Sequence, residues 1–316
     1  MRSHHHLRRI RRLVLTGSRS TRDLGRYVDY LRASAPYDAA YFNLTVDFEL
    51  GWSIARRAER STSLRRSLWR SRRARENFPA LLEVSDEFGI PLTIACVAHL
   101  ALSDCSRHNV PPRFRPSWAR DDWYAVDPGL DLARSRHYYG LDLVATALKS
   151  KVDHEIASHG FSHVDLGDAE TTQEVARFEI DESFRILKDV QPELSTFVFP
   201  KNHSSYIDLL RGAGYAIYRG DENAPIARDG VGLWRFPLGL WFAPIAASGR
   251  EYAAAVAEGV RNRQVVNFYC HLYEFASPRE LARFARPVFR AVAESRDRGE
   301  ITPATMRTIV NAVAGG

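Results

Sequence analysis

Three histidines fall within ten residues in the stretch His154-Glu155-Ile156-Ala157-Ser158-His159-Gly160-Phe161-Ser162-His163, which closes as Ser-His-x-x-x-His. Neutral imidazole is a common zinc ligand, and a catalytic metal site adds a carboxylate and keeps one position open. The helical metalloprotease motif is excluded, because His159 comes one residue too late after His154-Glu155 for His-Glu-x-x-His. The alternative reading of the same stretch is three ordinary histidines, one buried and two on a surface loop. A metal reading needs a carboxylate from elsewhere in the chain.

The surrounding elements decide what can reach these rings. Val152 and Ile156 suggest a buried strand ending near Ser158, and Gly160 lets the backbone turn. Thr171-x-x-Glu174 then opens a helix over 174–190 as a capping box. Upstream, Tyr41-Phe42-Asn43-Leu44-Thr45-Val46-Asp47-Phe48-Glu49 is β-branched and aromatic, and predicts a core strand running into acids. Phe78, Leu81, Leu82 and Phe88 predict a helix ended by Gly89, followed by a buried strand over 90–97. Residues 103–138 form a long polar and aromatic insertion with Trp118, Trp123, Tyr124 and Asp127, and an aromatic-rich loop of that length suits a sugar face. A helix is expected over 139–150, a strand over 196–199 stopped by Pro200, a helix over 204–213 and a strand over 215–219. After a turn-rich section come a helix near 250–262, a strand over 264–271 and a helix opened by Ser277-Pro278-Arg279-Glu280. Strand then helix, repeated about six or seven times, predicts an α/β fold with a parallel, barrel-like sheet.

The chain has 316 residues, 45% apolar and 26% charged, as in ordinary globular proteins. No apolar run is long enough to cross a bilayer, and Leu13-Val14-Leu15 is too short for a signal-peptide core. A cytoplasmic protein is the expectation, with peripheral membrane contact as a variant of it. Cys96, Cys105 and Cys270 are odd in number and form no Cys-x-x-Cys, which fits reduced thiols. Residues 1–75 hold 18 basic and 6 acidic residues, whereas the remainder holds 26 and 32, so the net charge of +6 comes from a basic front section. Within it, Leu7, Ile10 and Val14 could share one face of a basic amphipathic segment, although a solvated terminus is the preferred reading. Residues 56–75 contain nine arginines and Trp69. No nucleic-acid motif accompanies them, and an anionic substrate or lipid phosphate suits them better.

In parallel α/β architectures the active groups collect at the carboxyl ends of strands. That rule selects Asp47 and Glu49, His159 and His163, Pro200-Lys201-Asn202, and His271. Together they supply a candidate base, metal ligands, an oxyanion donor and a candidate acid. Strand alternation points Cys270 away from this set.

These residues resemble, in order and spacing, the polysaccharide deacetylases of carbohydrate esterase family 4, the NodB-like proteins. The motifs are Val46-Asp47-Phe48-Glu49, Ser158-His159-Gly160-Phe161-Ser162-His163, Phe199-Pro200-Lys201-Asn202 and Tyr269-Cys270-His271. The resemblance covers about residues 40–275. It implies an irregular (β/α)7-type barrel as a single catalytic domain over 39–276. A basic segment over 1–38 would precede it, and C-terminal helices over 277–316 would pack on it. It also implies one divalent metal, most commonly Zn2+, held by His159, His163 and one carboxylate. Asp47 falls on the family's base. Position 48 is Phe, so Glu49 becomes the metal carboxylate, and a strand turns Asp47 and Glu49 the same way.

The implied reaction is hydrolysis of the N-acetyl group of an amino sugar in a polysaccharide, oligosaccharide or glycolipid. Asp47 would take a proton from the attacking water, the backbone N–H of Lys201 would help stabilise the oxyanion, and His271 would protonate the leaving amine. One departure concerns the cation that orients the base. The family usually places an Arg two residues before the motif proline, where Val198 stands here; Lys201, Arg219 and Arg235 are the candidates to replace it. The alternatives are another amide hydrolase on the same fold, acting on a small ureide or a formylated or acetylated lipid-linked sugar, and a catalytically weakened sugar-binding homologue. An iron(II) oxygenase also uses two histidines and a carboxylate, but its usual host is an antiparallel double-sheet barrel.

Overall fold

The computed structural model describes residues 22–53, 60–104, 110–117, 123–126 and 135–315. The basic start with Leu7, Ile10 and Val14, along with Cys105, Trp118 and Asp127, lies outside the described residues.

Alternation in the first strand separates the inside of the barrel from the outside. In β1 (Ala40–Phe48), Phe42, Leu44, Val46 and Phe48 are buried in the main hydrophobic core. Asn43 and Thr45 instead join a hydrogen-bonded polar layer: Asn43 donates to the Thr93 hydroxyl at 2.9 Å, and Thr45 donates to Asn43 at 3.1 Å. Thr196 and Glu155 extend this layer through a 2.5 Å bond. Period two therefore carries Asp47, two residues beyond Thr45, to the same interior side.

The other strands are β2 (Thr93–Cys96), β3 (Glu155–Ser158), β4 (Thr196–Val198), β5 (Ile217–Arg219), β6 (Ala227–Arg228), β7 (Trp234–Phe236), β8 (Leu240–Trp241), β9 (Val265–Cys270) and β10 (Ile301–Pro303). Their order is β6-β7-β5-β4-β3-β2-β1-β9-β8, with β10 also paired to β1. Every pairing is parallel except that of β6 with β7. The helices are α1 (22–33), α2 (Arg60–Phe88), α3 (Leu141–Leu148), α4 (Gln173–Val190), α5 (Ile207–Ala213), α6 (Gly249–Arg261), α7 (Pro278–Asp297) and α8 (Met306–Gly315). The result is a single α/β unit whose curled, mostly parallel sheet forms an irregular (β/α) barrel, as the strand–helix alternation predicts.

Local signals account for several boundaries. Ser277 caps α7 by accepting from the Glu280 N–H, and Ser248 with Glu251 forms a capping box on α6. At α4 the cap is Thr172, which accepts from Val175, one residue later than the expected box. Helix α2 begins at Arg60, well ahead of the apolar set that starts with Phe78, and carries Pro79 inside it. Asn77 fixes it to the barrel by donating to the carbonyls of Leu272 and Phe275 at 2.8 and 2.9 Å.

Two findings differ from expectation at the chain ends. The C-terminal section supplies strand β10 as well as helices, pairing Ala40 with Ile301. Three residues ending in Pro give no readable period. At the other end, residues 22–33 are not a solvated tail, since Tyr27 and Leu31 of α1 are buried. The Tyr27 hydroxyl donates to the Asn267 carbonyl at 3.0 Å and accepts from the Asn267 N–H at 2.9 Å. Strand β8 covers β9 only at Phe268 and Tyr269, so α1 serves the stretch of β9 that β8 leaves bare.

Candidate metal centre and acid–base pair

Strand β3 ends at Ser158, and the His159 N–H continues its ladder by bonding the Cys96 carbonyl at 2.8 Å. Gly160 (φ +76°) and His163 (φ +64°) then adopt left-handed backbone, which curls the chain so that the two imidazoles lie 4.9 Å apart. Outside glycine such a conformation costs roughly 1–2 kcal/mol, so the position of the His163 ring is held against local preference.

Both rings meet Glu49. His163 Nε2 is 3.0 Å and His159 Nε2 3.5 Å from Glu49 Oε1. His159 Nδ1 lies 2.8 Å from the Val198 carbonyl, which can only accept, so Nδ1 carries the proton and Nε2 presents a lone pair. Neither that Nε2 nor either ring nitrogen of His163 makes a hydrogen bond among the described residues, although all are buried. Burial pushes His163 down to about 4 against the opposing charge of Glu49, so the ring is neutral at physiological pH. Burial alone would raise the Glu49 carboxyl, but His163 and His271 outweigh it and hold the pKa well below the ordinary range. One carboxylate and two imidazoles with unspent lone pairs, all within 4.8 Å of one another, are a donor set that fits a divalent cation.

Asp47, Glu49 and His271 form a second close group. It is the poorer cation cradle, because Asp47 is already engaged. Arg219 donates from Nη1 and Nη2 to the two Asp47 oxygens at 2.9 and 3.0 Å. Burial disfavours charge on Asp47, yet Arg219, then His159 and His271, more than offset it and hold the carboxyl below its usual range. Asp47 is thus an ionised, oriented carboxylate at the edge of the candidate cation site.

Of the three candidate cations, Arg219 is the one that meets Asp47. It is the register partner of Val198 across the β4–β5 ladder, so the cation has moved one strand sideways at the same height. It is buried, lies 4.9 Å over the Tyr269 ring and donates to Asn202 Oδ1 at 2.6 Å. Arg235 pairs instead with Glu222 at 2.8 Å. Lys201 is exposed and makes no hydrogen bond or ion pair to Asp47 among the described residues. Pro200 is buried, and Lys201 and Asn202 take left-handed backbone at φ +60° and +57°, which bends the chain so that Asn202 reaches Arg219.

His271 Nε2 stands 3.2 Å from Glu49 Oε1 and 3.7 Å from Asp47 Oδ2. Its Nδ1 is 3.2 Å from Glu274 Oε1, and Glu274 is held by the Trp241 indole N–H at 2.7 Å. Burial opposes a charged ring here, but Glu49 and Glu274 prevail and raise the His271 pKa well above its ordinary value. His271 is therefore able to carry and donate a proton at neutral pH.

Other expectations fall differently. Trp123 and Tyr124 of the insertion are buried against the loop that carries His159 and His163, not on an open sugar face. The Trp123 indole donates to Ser162 Oγ at 2.9 Å, and the Tyr124 hydroxyl donates to Glu179 Oε1 at 3.3 Å. Glu179 also accepts from the Ser162 hydroxyl at 2.5 Å and N–H at 2.8 Å. His154 is structural: its Nδ1 accepts from the Leu92 N–H at 3.1 Å, and burial pushes it down to about 4. Cys96 and Cys270 are free and buried, Cys270 within the core side of β9 as alternation requires. Sequence reasoning missed Glu274 and Glu179. The readable sign of Glu179 is a carboxylate on the apolar stripe of α4 beside Val175, Ile180 and Leu187.

No family model matches the sequence, and no curated protein matches it. Solved structures do match in three dimensions. A protein described as a polysaccharide deacetylase from Mycobacterium smegmatis superimposes with a TM-score of 0.60 at 15% identity, over 89% of this chain and 94% of that one. A second so described, from Pseudomonas aeruginosa PAO1, gives 0.57 at 14% identity over 88% and 94%. An allantoinase gives 0.56 at 14% identity over 88% and 93%. At such identities the likeness establishes the fold, and the fold is the one that the motif resemblance implies.

Proposed function

We propose that this chain is a metal-dependent hydrolase of the deacetylase type, which removes the N-acetyl group of an amino sugar in a polysaccharide, oligosaccharide or glycolipid. The observation that carries the reading is the pairing of two functions at one cleft: unspent donors of Glu49, His159 and His163, and beside them Asp47 locked by Arg219. Zinc best suits two neutral imidazoles and a carboxylate. When bound there, a divalent cation supplies Lewis-acid polarisation of a carbonyl and acidifies water.

The chain's own groups do the rest. Asp47, kept ionised by the guanidinium, accepts the proton of the attacking water at a carboxylate oxygen. The backbone N–H of Lys201 is the proposed donor to the oxyanion that develops on the acetyl carbonyl. His271 delivers a proton from Nε2 to the departing amine nitrogen, while Glu274 at Nδ1 fixes the ring and stabilises its charged form. The products are acetate and a free amino sugar.

A second reading is hydrolysis of a small ureide, supported by the allantoinase among the structural matches. The same base, acid and cation site would open a C–N bond in either substrate. Purified protein with its metal content measured, tested for acetate release from N-acetylglucosamine oligomers and for ring opening of allantoin, separates the two. Metal present with neither substrate turned over would instead support a sugar-binding homologue. The first 21 residues, a proposed contact for lipid or phosphate, lie outside the described residues.

A further inference from the structure

Helix α2 carries a second feature that catalysis does not use. At 29 residues it is about 43 Å long, against about 30 Å for the nine residues of β1. Its level against the barrel is fixed by Asn77 at Leu272 and by Ser67 at Gly51, so the turns before Ser67 run past the ends of the strands on the catalytic side. Residues 60–75 hold seven arginines, one aromatic residue and no acid. Arg65, Trp69 and Arg72 follow one another at helical spacing, and Arg66, Arg70 and Arg73 form the adjoining stripe. Arg65, Arg66 and Arg72 are exposed and have no carboxylate partner in an ion pair among the described residues. Trp69 is 49% exposed, with the Arg73 guanidinium 4.3 Å over its ring.

This ridge reaches towards the proposed acid, His271, through Arg70 and Tyr273. Arg70 donates to the Ser53 carbonyl at 3.0 Å and lies 4.5 Å over the Tyr273 ring, which is 5.0 Å from the ring of His271. Exposed Lys201 adds a further cation beside the cleft.

We infer that the ridge of α2 docks on an anionic phospholipid surface and so presents the catalytic cleft to substrate at that surface. The charge is complementary to phosphate headgroups, and a half-exposed Trp among arginines is an interfacial anchor. A single-stranded nucleic acid would call for several stacking platforms along a track, and Trp69 is alone on the ridge. No helix among the described residues is long and apolar enough to cross a membrane, so the contact is peripheral.

The test is co-sedimentation of the full chain with vesicles of phosphatidylcholine alone and of phosphatidylcholine with phosphatidylglycerol. Binding is expected only to the anionic vesicles and is lost on raising salt to about 1 M, where screening reaches contact distance. The triple variant Arg65→Glu/Arg66→Glu/Arg72→Glu should partition at least about tenfold more weakly, and Trp69→Ala should weaken binding on its own. Circular dichroism and thermal unfolding verify that both variants are folded. Failure of the parent chain to bind anionic vesicles at low salt overturns the inference. So does undiminished binding by the triple variant, which would place the contact in residues 1–21. Tighter binding to single-stranded or duplex DNA than to the vesicles, at equal phosphate, also overturns it. None of these readouts depends on the deacetylase reading.

Discussion

Arg219 grips both oxygens of Asp47, at 2.9 and 3.0 Å, from the strand position that pairs with Val198. The bond does two jobs: it orients the carboxylate proposed as the base, and it keeps that carboxylate charged where burial would neutralise it. Replacing Arg219 by Met removes the largest force lowering the Asp47 pKa, so that pKa rises. The acid limb of the kcat/KM profile must then move to higher pH. Activity at pH values on that limb should fall about tenfold for each unit of movement, and Arg219→Lys should recover part of it without restoring the fork. An acid limb that stays in place in Arg219→Met would show that Asp47 is not the titrating base.

Asp47→Asn keeps the shape of the side chain and removes the proton acceptor. Deacetylation should be abolished while one metal per chain is retained, because the proposed cation donors are Glu49, His159 and His163. Acetate release read beside metal content checks both halves of this expectation. Full activity in the variant would sink the base assignment.

The metal donors themselves are tested by stability. A cation that binds the folded chain alone adds about 2.7 kcal/mol at a free concentration 100 times its Kd. Zinc should therefore raise the Tm of the stripped parent chain, and a chelator should reverse the rise. His163→Ala and Glu49→Gln should abolish the response, whereas Lys201→Ala should keep it. An unchanged zinc-induced rise in both donor variants would remove the cradle from consideration.

Glu179 touches no candidate ligand, yet it accepts three bonds from Ser162 and Tyr124, and Ser162 immediately precedes His163. Glu179→Gln exchanges one acceptor oxygen for a donor and leaves a buried group unmatched, at about 1–3 kcal/mol of stability. Metal affinity should fall about 10- to 100-fold, as for other partners that orient a ligand from behind. Competition titration with a zinc indicator measures this, and an unaltered Kd would confine Glu179 to stability.

Glu258 on α6 receives Arg32 of α1 through both oxygens, at 3.0 and 3.2 Å, and Arg261 as well. Hydrogen bonds from Arg32, then Arg261, lower its carboxyl from 4.5 to about 2. A depressed folded pKa stabilises the protein above 4.5, and the benefit is lost as pH falls through the folded value. Arg32 is largely exposed, so solvent screening keeps the contribution small. Glu258→Gln should unfold slightly earlier than the parent at neutral pH, and the gap should close towards pH 2. A gap that widens on acidification would contradict the pairing.

Much of the site was legible because it is written in local periods. Period two in β1 turns Asp47 inward, and the Ser-His-x-x-x-His spacing, with Gly160 as the pivot, brings His159 beside His163. Glu49, expected to share that period, instead lies just past the end of β1 with α-region backbone at φ −112° and ψ −27°, and meets both rings from there. The identity of the guanidinium partner was not legible. Three cations were candidates, and the choice depends on the β4–β5 register, a pairing between distant segments that neither segment encodes alone. Lys201 is nearest in sequence to Val198, yet the contact is made by Arg219. The aromatics of the insertion misled for a related reason. Composition could not distinguish Trp123 and Tyr124 facing an open cleft from the same rings bonded to Ser162 and Glu179. Strand β10 escaped notice because a three-residue strand inside a parallel sheet has no period to read.

The hydroxyl of Tyr27 occupies both main-chain groups of Asn267 on the margin of β9 opposite β1, which β8 does not reach. Take that hydroxyl away, by truncating the chain beyond residue 27, and an unpaired donor and acceptor remain on an apolar strand. Such a margin is a template for another molecule's backbone. Helix α1 thus acts as a guard against self-association, and shortened forms of this protein should precipitate or form oligomers at concentrations where the full chain stays dispersed.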